Sequence, residues 1–84
     1  MTDNPTQAFD VRVSTDGDGL LVVHGTEAYQ LDGVAVDIWN WCDGEHSAGD
    51  IARMVAERYE VDIETARADS DAFLADMTRA GLLE

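Results

Sequence analysis

Cys42 and His46 are the only thiol and imidazole close together in this chain, spaced Cys-x-x-x-His, with His24 distant in sequence. Thiolate and imidazole are preferred zinc donors, but a structural zinc site takes four such ligands and a catalytic one three. Two are too few. Cys42 is therefore expected to pack as a small apolar residue beside Trp41, and His46 to sit in an exposed turn. Asp16-Gly17-Asp18-Gly19 has the look of a calcium loop opening. Counted from Asp16, position twelve is Glu27, but positions five and six are Leu20 and Leu21, where an oxygen ligand and a glycine belong. A hairpin turn fits that stretch better. The remaining nucleophile candidates are Ser14, Ser47 and Ser70, and none lies in a Gly-x-Ser-x-Gly setting or beside a base and an orienting group. Glycine-rich phosphate loops are absent too. The residues thus argue for no enzyme, no metal and no cofactor.

Asp69-Ser70-Asp71 invites one comparison, because small acidic carriers of acyl groups hold a pantetheine on the serine of an Asp-Ser-Leu motif. Here Asp71 replaces the leucine, and the helical spacing puts Ser70 in the middle of an apolar stripe. An exposed attachment serine at a helix start is not what this spacing describes.

The elements that hold these residues follow from size, charge and period. The chain has 84 residues, 18 Asp plus Glu against 5 arginines and no lysine, and a formal charge of −13. A chain this short buries roughly 60 to 65% of the surface its unfolded form exposes, so it builds one modest core. Hydrophobic residues at 45% are too many for a disordered chain. The arginines do not cluster, which opposes binding to DNA, RNA or an anionic membrane. With no apolar span, no secretory opening and a single cysteine, a cytoplasmic protein is expected.

Residues 1–8 show no periodicity and read as a flexible tail, leaving residues 9–84 as the single domain. Phe9-Asp10-Val11-Arg12-Val13 alternates apolar with charged, the pattern of a half-buried strand. A turn at residues 15–19 leads to a more buried second strand at residues 20–24. Past Gly25-Thr26, Glu27-Ala28-Tyr29-Gln30-Leu31 alternates again, with Tyr29 and Leu31 on one face. From Asp32 the period becomes helical. Asp32 is the expected cap of a helix carrying Val34, Ile38 and Trp41 and ending at Asp43-Gly44. Ser47, with Asp50 three residues on, opens a second helix with the face Ile51, Met54, Val55 and Tyr59. Asp62 caps a third, with the stripe Ala66, Ser70, Phe73, Met77 and Ala80, Leu74 alongside and Val61 as a staple. Gly81 stops it, and Leu82-Leu83 is expected to fold back. The expected class is α+β, winged-helix-like: a three-stranded antiparallel sheet followed by three helices.

A three-stranded meander leaves an unpaired strand at each edge, which proteins either blunt or use. The strand Glu27, Ala28, Tyr29, Gln30, Leu31 has no proline or lysine to blunt it, so an extended peptide could add to it. If the third helix lies alongside, Asp69, Ala72, Phe73 and Asp76 line the other wall of the groove.

The run Ala28-Tyr29-Gln30-Leu31-Asp32-Gly33-Val34-Ala35, then Trp41-Cys42-Asp43-Gly44, residues 51–59, Val61-Asp62, Arg67-Ala68-Asp69, Phe73-Leu74 and the closing Gly81-Leu82-Leu83 resembles the PqqD-like family. These are peptide-recognition domains of pathways that make and modify ribosomal peptides, including the stand-alone leader-binding proteins of lasso-peptide clusters. The resemblance spans residues 19–84. It implies a non-catalytic protein that binds the leader of a precursor peptide by strand addition and presents it to a separate leader peptidase or modifying enzyme. It also implies a peptide-binding set of Glu27, Ala28, Tyr29, Gln30 and Leu31 on the strand with Asp69, Ala72, Phe73 and Asp76 on the helix. The competing reading is a winged-helix DNA-binding or protein-interaction regulator, whose DNA-binding form the acidic charge opposes. In the leader-binding reading Glu27, Asp69, Asp71 and Asp76 become an acidic rim that steers basic groups.

Overall fold

The computed structural model describes residues 4–84. The chain folds as β1 (Arg12–Asp16), β2 (Gly19–His24), β3 (Glu27–Leu31), α1 (Val34–Trp41), α2 (Ala48–Tyr59) and α3 (Ile63–Arg79). The sheet is antiparallel in the order β1-β2-β3, so the expected architecture of three strands followed by three helices is the one observed.

Both hairpins close with two-residue turns, Gly17-Asp18 and Gly25-Thr26. Gly25 has φ 62 and Thr26 does not enter positive φ, the type II′ arrangement whose twist matches that of paired strands. The tight first turn fixes the position of β1, which lies three residues beyond the expected Phe9 to Val13 strand. Arg12 pairs with Val23 and Asp16 with Gly19, so Thr15 and Asp16 are strand rather than turn. Phe9 falls outside the ladder and is 93% exposed. All of β1 is exposed, and the sheet's contribution to the core comes from Val22 on β2 and Leu31 on β3.

Those two residues pack with Ile38, Trp39 and Cys42 of the α1 region, Ile51 and Val55 of α2, Ala66, Leu74 and Met77 of α3, and Leu82 and Leu83. The expected fold-back of Leu82-Leu83 is therefore present, with Leu82 fully buried. α2 and α3 form the main helix pair.

Helix α1 starts differently from expectation. Gly33 occupies the cap position at φ 58, and no side chain caps the helix. The chain must reverse between β3 and α1 immediately before the first helical residue. Glycine takes that backbone at little cost, and the position moves the Asp32 side chain out of capping range. Ala35 N–H instead donates to the Asp32 carbonyl. The other two caps match expectation. The Ser47 hydroxyl accepts from Asp50 N–H at 3.0 Å while the Asp50 carboxylate accepts from Ser47 N–H at 3.1 Å, a reciprocal box. The Asp62 carboxylate accepts from Thr65 N–H and from the Thr65 hydroxyl, both at 2.9 Å.

These bonds to Asp62, the Thr65 N–H above all, hold its carboxyl below the ordinary value of 3.8. A carboxylate depressed in the folded state stabilises the fold above its unfolded pKa and loses that contribution as pH falls through the folded one. The parent chain is accordingly expected to melt above Asp62→Ala at neutral pH, with the gap narrowing as pH drops below 3.8. Thermal melts of both chains across pH 2 to 7 check this.

Residues 4–8, within the segment expected as a tail, lie against the domain; residues 1–3 fall outside the described residues. Thr6 bridges to Asp43 and Gln7 to Leu83. Gln7 N–H donates to the Cys42 carbonyl, Ala8 N–H to the Leu82 carbonyl, Gly44 N–H to the Pro5 carbonyl and Glu84 N–H to the Thr6 carbonyl. Ala8 is buried, and the Gln7 side-chain amide donates to the Trp39 carbonyl at 2.8 Å. This strap supplies partners for carbonyls that the end of α1 and the turn after α3 leave over. Among the described residues no helix is long and apolar enough to cross a membrane.

Candidate functional site

β3 pairs with β2 on one side only, so its other edge carries unsatisfied backbone groups. Which residues carry them follows from the hairpin. In a two-residue hairpin the closing pair, here His24 and Glu27, is a hydrogen-bonded pair, and pairing alternates along the ladder. Glu27, Tyr29 and Leu31 thus direct their backbone groups at β2, and Ala28 and Gln30 direct theirs at the open edge. The Ala28 and Gln30 side chains lie on the outer sheet face, where the Gln30 amide donates to Asp16 at 2.6 Å. Tyr29 is half-buried against the core and Glu27 is exposed. Leu31 is 5% exposed and is a core side chain.

On α3, residues 69, 72, 73 and 76 recur at i, i+3, i+4 and i+7 and so share one face. Asp69, Ala72 and Asp76 are exposed on it. Phe73 is half-buried and packs on the same core cluster as Tyr29, at the border between the buried arc of Ala66, Ser70, Leu74 and Met77 and the exposed stripe. Asp76 has Arg79 at 3.4 Å, an exposed pair with little hold on either side chain. Asp71, at about 100° per residue, lies about 200° around the helix from Asp69 and belongs to a different face.

The other residues singled out for chemistry have structural uses. The Cys42 thiol donates to the Ile38 carbonyl at 3.1 Å, and burial, assisted by the charge of Asp43, pushes its pKa up to about 12. It is a protonated core group, not a nucleophile. His46 contacts the Asp43 carboxylate at 3.0 Å through Nδ1, so Cys42 and His46 serve separate contacts. Ser70 is fully buried and its hydroxyl donates to the Arg67 carbonyl at 3.4 Å, which leaves no route for a pantetheine arm.

The sequence profile described as Coenzyme PQQ synthesis protein D (PqqD) matches residues 19–83. The chain belongs to the PqqD family. No functionally curated protein matches it significantly. Three solved structures share the PqqD-family fold over nearly the whole chain. One is TbiB1 in complex with the TbiA(beta) leader peptide, 23% identical with a TM-score of 0.83 over 94% of both chains. Another is lasso peptide synthetase B1 complexed with the leader peptide, 23% identical with a TM-score of 0.85 over 96% of this chain and 98% of that one. The third is the solution structure of the PqqD truncation of Methylobacterium extorquens PqqCD, described as a functional and stand-alone RiPP recognition element. It is 25% identical, with a TM-score of 0.80 over 99% of this chain and 90% of that one.

One feature of this PqqD-family chain is not apparent from its sequence. Tyr59 was expected on the buried face of the second helix and Val61 as a staple, yet they are 40% and 39% exposed, with Ile63 at 45%. Their alternation across a capped helix junction was the available sign.

Proposed function

We propose that this chain binds the leader segment of a ribosomally made precursor peptide as an added strand on β3, against the α3 stripe. It presents that peptide to a separate leader peptidase or modifying enzyme in the cytoplasm. The chain itself makes and breaks no bonds and needs no cofactor. It raises the effective concentration of the peptide at the enzyme by holding one end of it.

The observation that carries this reading is the open edge of β3, unblunted by proline or lysine, with Ala28 and Gln30 directing backbone groups outward. Strand addition uses such groups for affinity and alternate side-chain pockets for specificity. Tyr29 and Phe73, both half-buried on one core, supply apolar surface beside that edge. Family membership and the leader-bound structures of like fold point the same way.

The test is amide exchange with and without a synthetic leader peptide of a lasso-type precursor. The Ala28 and Gln30 amides are expected to gain protection on binding, with Tyr29 already protected in the free protein by β2. Unchanged exchange at Ala28 and Gln30 with saturating leader would defeat strand addition at this edge.

A further inference from the structure

Five large hydrophobic side chains are exposed among the described residues, and three of them, Tyr59, Val61 and Ile63, lie within the five-residue corner joining α2 to α3. The corner is built rather than loose. The Tyr59 hydroxyl donates to Asp37 of α1, Arg58 Nε donates to the same carboxylate at 2.7 Å, and the Arg58 guanidinium lies 5.9 Å from the Tyr59 ring centre. The tyrosine is thereby fixed in place before any partner arrives, which lowers the entropy lost on contact. Glu60 is the one described non-glycine residue at positive φ, in the left-handed conformation at 53°. Glycine would take that position at less cost, yet a carboxylate stands there between Tyr59 and Val61.

Charge decides what fits. Glu57, Glu60 and Glu64 flank the apolar trio in sequence, all exposed and none in an ion pair among the described residues; of the cations nearby in sequence, Arg58 is already engaged by Asp37, and Arg67, one turn past Ile63, is a single charge against three carboxylates. A second copy of this chain would bring the same carboxylates and a charge of −13 against them. A surface with an apolar centre and a rim of Lys and Arg would find both complements. Ile63 is ten residues before Phe73 on α3, about 15 Å at the helical rise, so the centre of a contact here lies apart from the proposed peptide stripe.

We propose that this α2–α3 corner is a second docking surface, and that it receives the processing enzyme through an apolar patch of that enzyme rimmed with basic residues. This rests on the leader-binding reading for the partner's identity. The corner holds the enzyme while the β3 edge holds the peptide, and the two contacts are independent.

The experiment uses the full chain, a synthetic lasso-type precursor, and the purified leader peptidase or modifying enzyme that acts on that precursor. Val61→Ser with Ile63→Ser, and separately Glu60→Lys, are expected to weaken chain–enzyme association at least tenfold. Leader affinity and the thermal midpoint stay near parental values, and added salt weakens the parental association. Glu60→Gly relieves the left-handed strain, so it is expected to raise the melting temperature while still weakening association, which a purely structural role for Glu60 would not do. Parental chain–enzyme association in all three variants would overturn the proposal. So would parental self-association in sedimentation that the variants abolish, since the corner would then serve a second copy. Leader binding by the parent chain, measured without enzyme, reports on the leader-binding reading alone, so the two failures are distinguishable.

Discussion

Replacing Gln30 with proline is expected to weaken leader binding by about 100-fold while leaving the domain folded, whereas the same change at Tyr29, one residue earlier, is expected to unfold the sheet. The contrast comes from the alternation of the ladder. Gln30 directs its N–H outward, so the β2–β3 pairing does not use it, and an edge strand tolerates proline there. The leader, however, loses one donor, is left with an unsatisfied carbonyl, and meets the pyrrolidine ring. A lost bond and an orphaned acceptor together come to about 3 kcal/mol, near 100-fold at 1.4 kcal/mol per decade. Tyr29 N–H faces β2, and proline there removes a hydrogen bond of the β2–β3 ladder and sets its ring against the partner strand, a position sheets do not tolerate. Phe73→Asp is the partner experiment on the other wall. It puts a third carboxylate on the stripe with Asp69 and Asp76 and removes the apolar contact, again with a large loss of affinity and a folded domain. Titration of the labelled leader with each variant, alongside thermal melts, checks all three. Parental affinity in both Gln30→Pro and Phe73→Asp would remove the β3–α3 groove from consideration.

A chain that begins at Phe9 is expected to melt at least about 10 °C below the full chain. Removing residues 4–8 withdraws the four backbone hydrogen bonds that tie them to Cys42, Gly44, Leu82 and Glu84, the side-chain bonds of Asn4 to Gly44 and of Gln7 to Trp39, and the buried Ala8 methyl. At a net 0.5 to 1.5 kcal/mol each, the backbone bonds alone amount to about 2 to 6 kcal/mol. A domain of this size shifts by roughly 4 to 8 °C per kcal/mol. A melting temperature unchanged by the deletion would mean that the strap adds nothing to the fold. Gln7→Ala separates the side-chain contribution from the backbone one.

That strap also marks the limit of what side-chain pattern conveys. Hairpins and helices were legible because their determinants are side chains and glycines at set spacings: Gly25 for the turn, the Ser47 and Asp50 box, Asp62 for α3. The strap is held mainly by backbone groups of Pro5, Thr6, Gln7 and Ala8, which leave no periodicity in the residue types. The first strand was misplaced because Phe9, Val11 and Val13 alternate convincingly, yet register is fixed by the tight turn at Gly17-Asp18, and Val13 ends 44% exposed. Asp32 was an acceptable cap by type and failed on backbone geometry. The proposed groove was half legible. The stripe of residues 69, 72, 73 and 76 and the alternation of β3 can be read from spacing. That Leu31 is interior needs the sheet in place, whereas the same helical spacing already sets Asp71 off the stripe of Asp69. The corner at residues 59–63 was hidden because apolar residues there read as core by default.

Thr6 and Ala8 are hydrogen-bonded to Glu84 and Leu82, so the polypeptide enters and leaves the domain at nearly the same point. A domain whose ends meet can be spliced into a surface loop of another protein, or joined end to end and reopened elsewhere, without stretching either neighbour. The mobile unit would carry its open β3 edge with it, because nothing in the entry point borrows from that edge. The proposed peptide capture would therefore be portable: the same domain could serve as a separate subunit or as an inserted module, with the length of the joining segments setting how far a held peptide reaches.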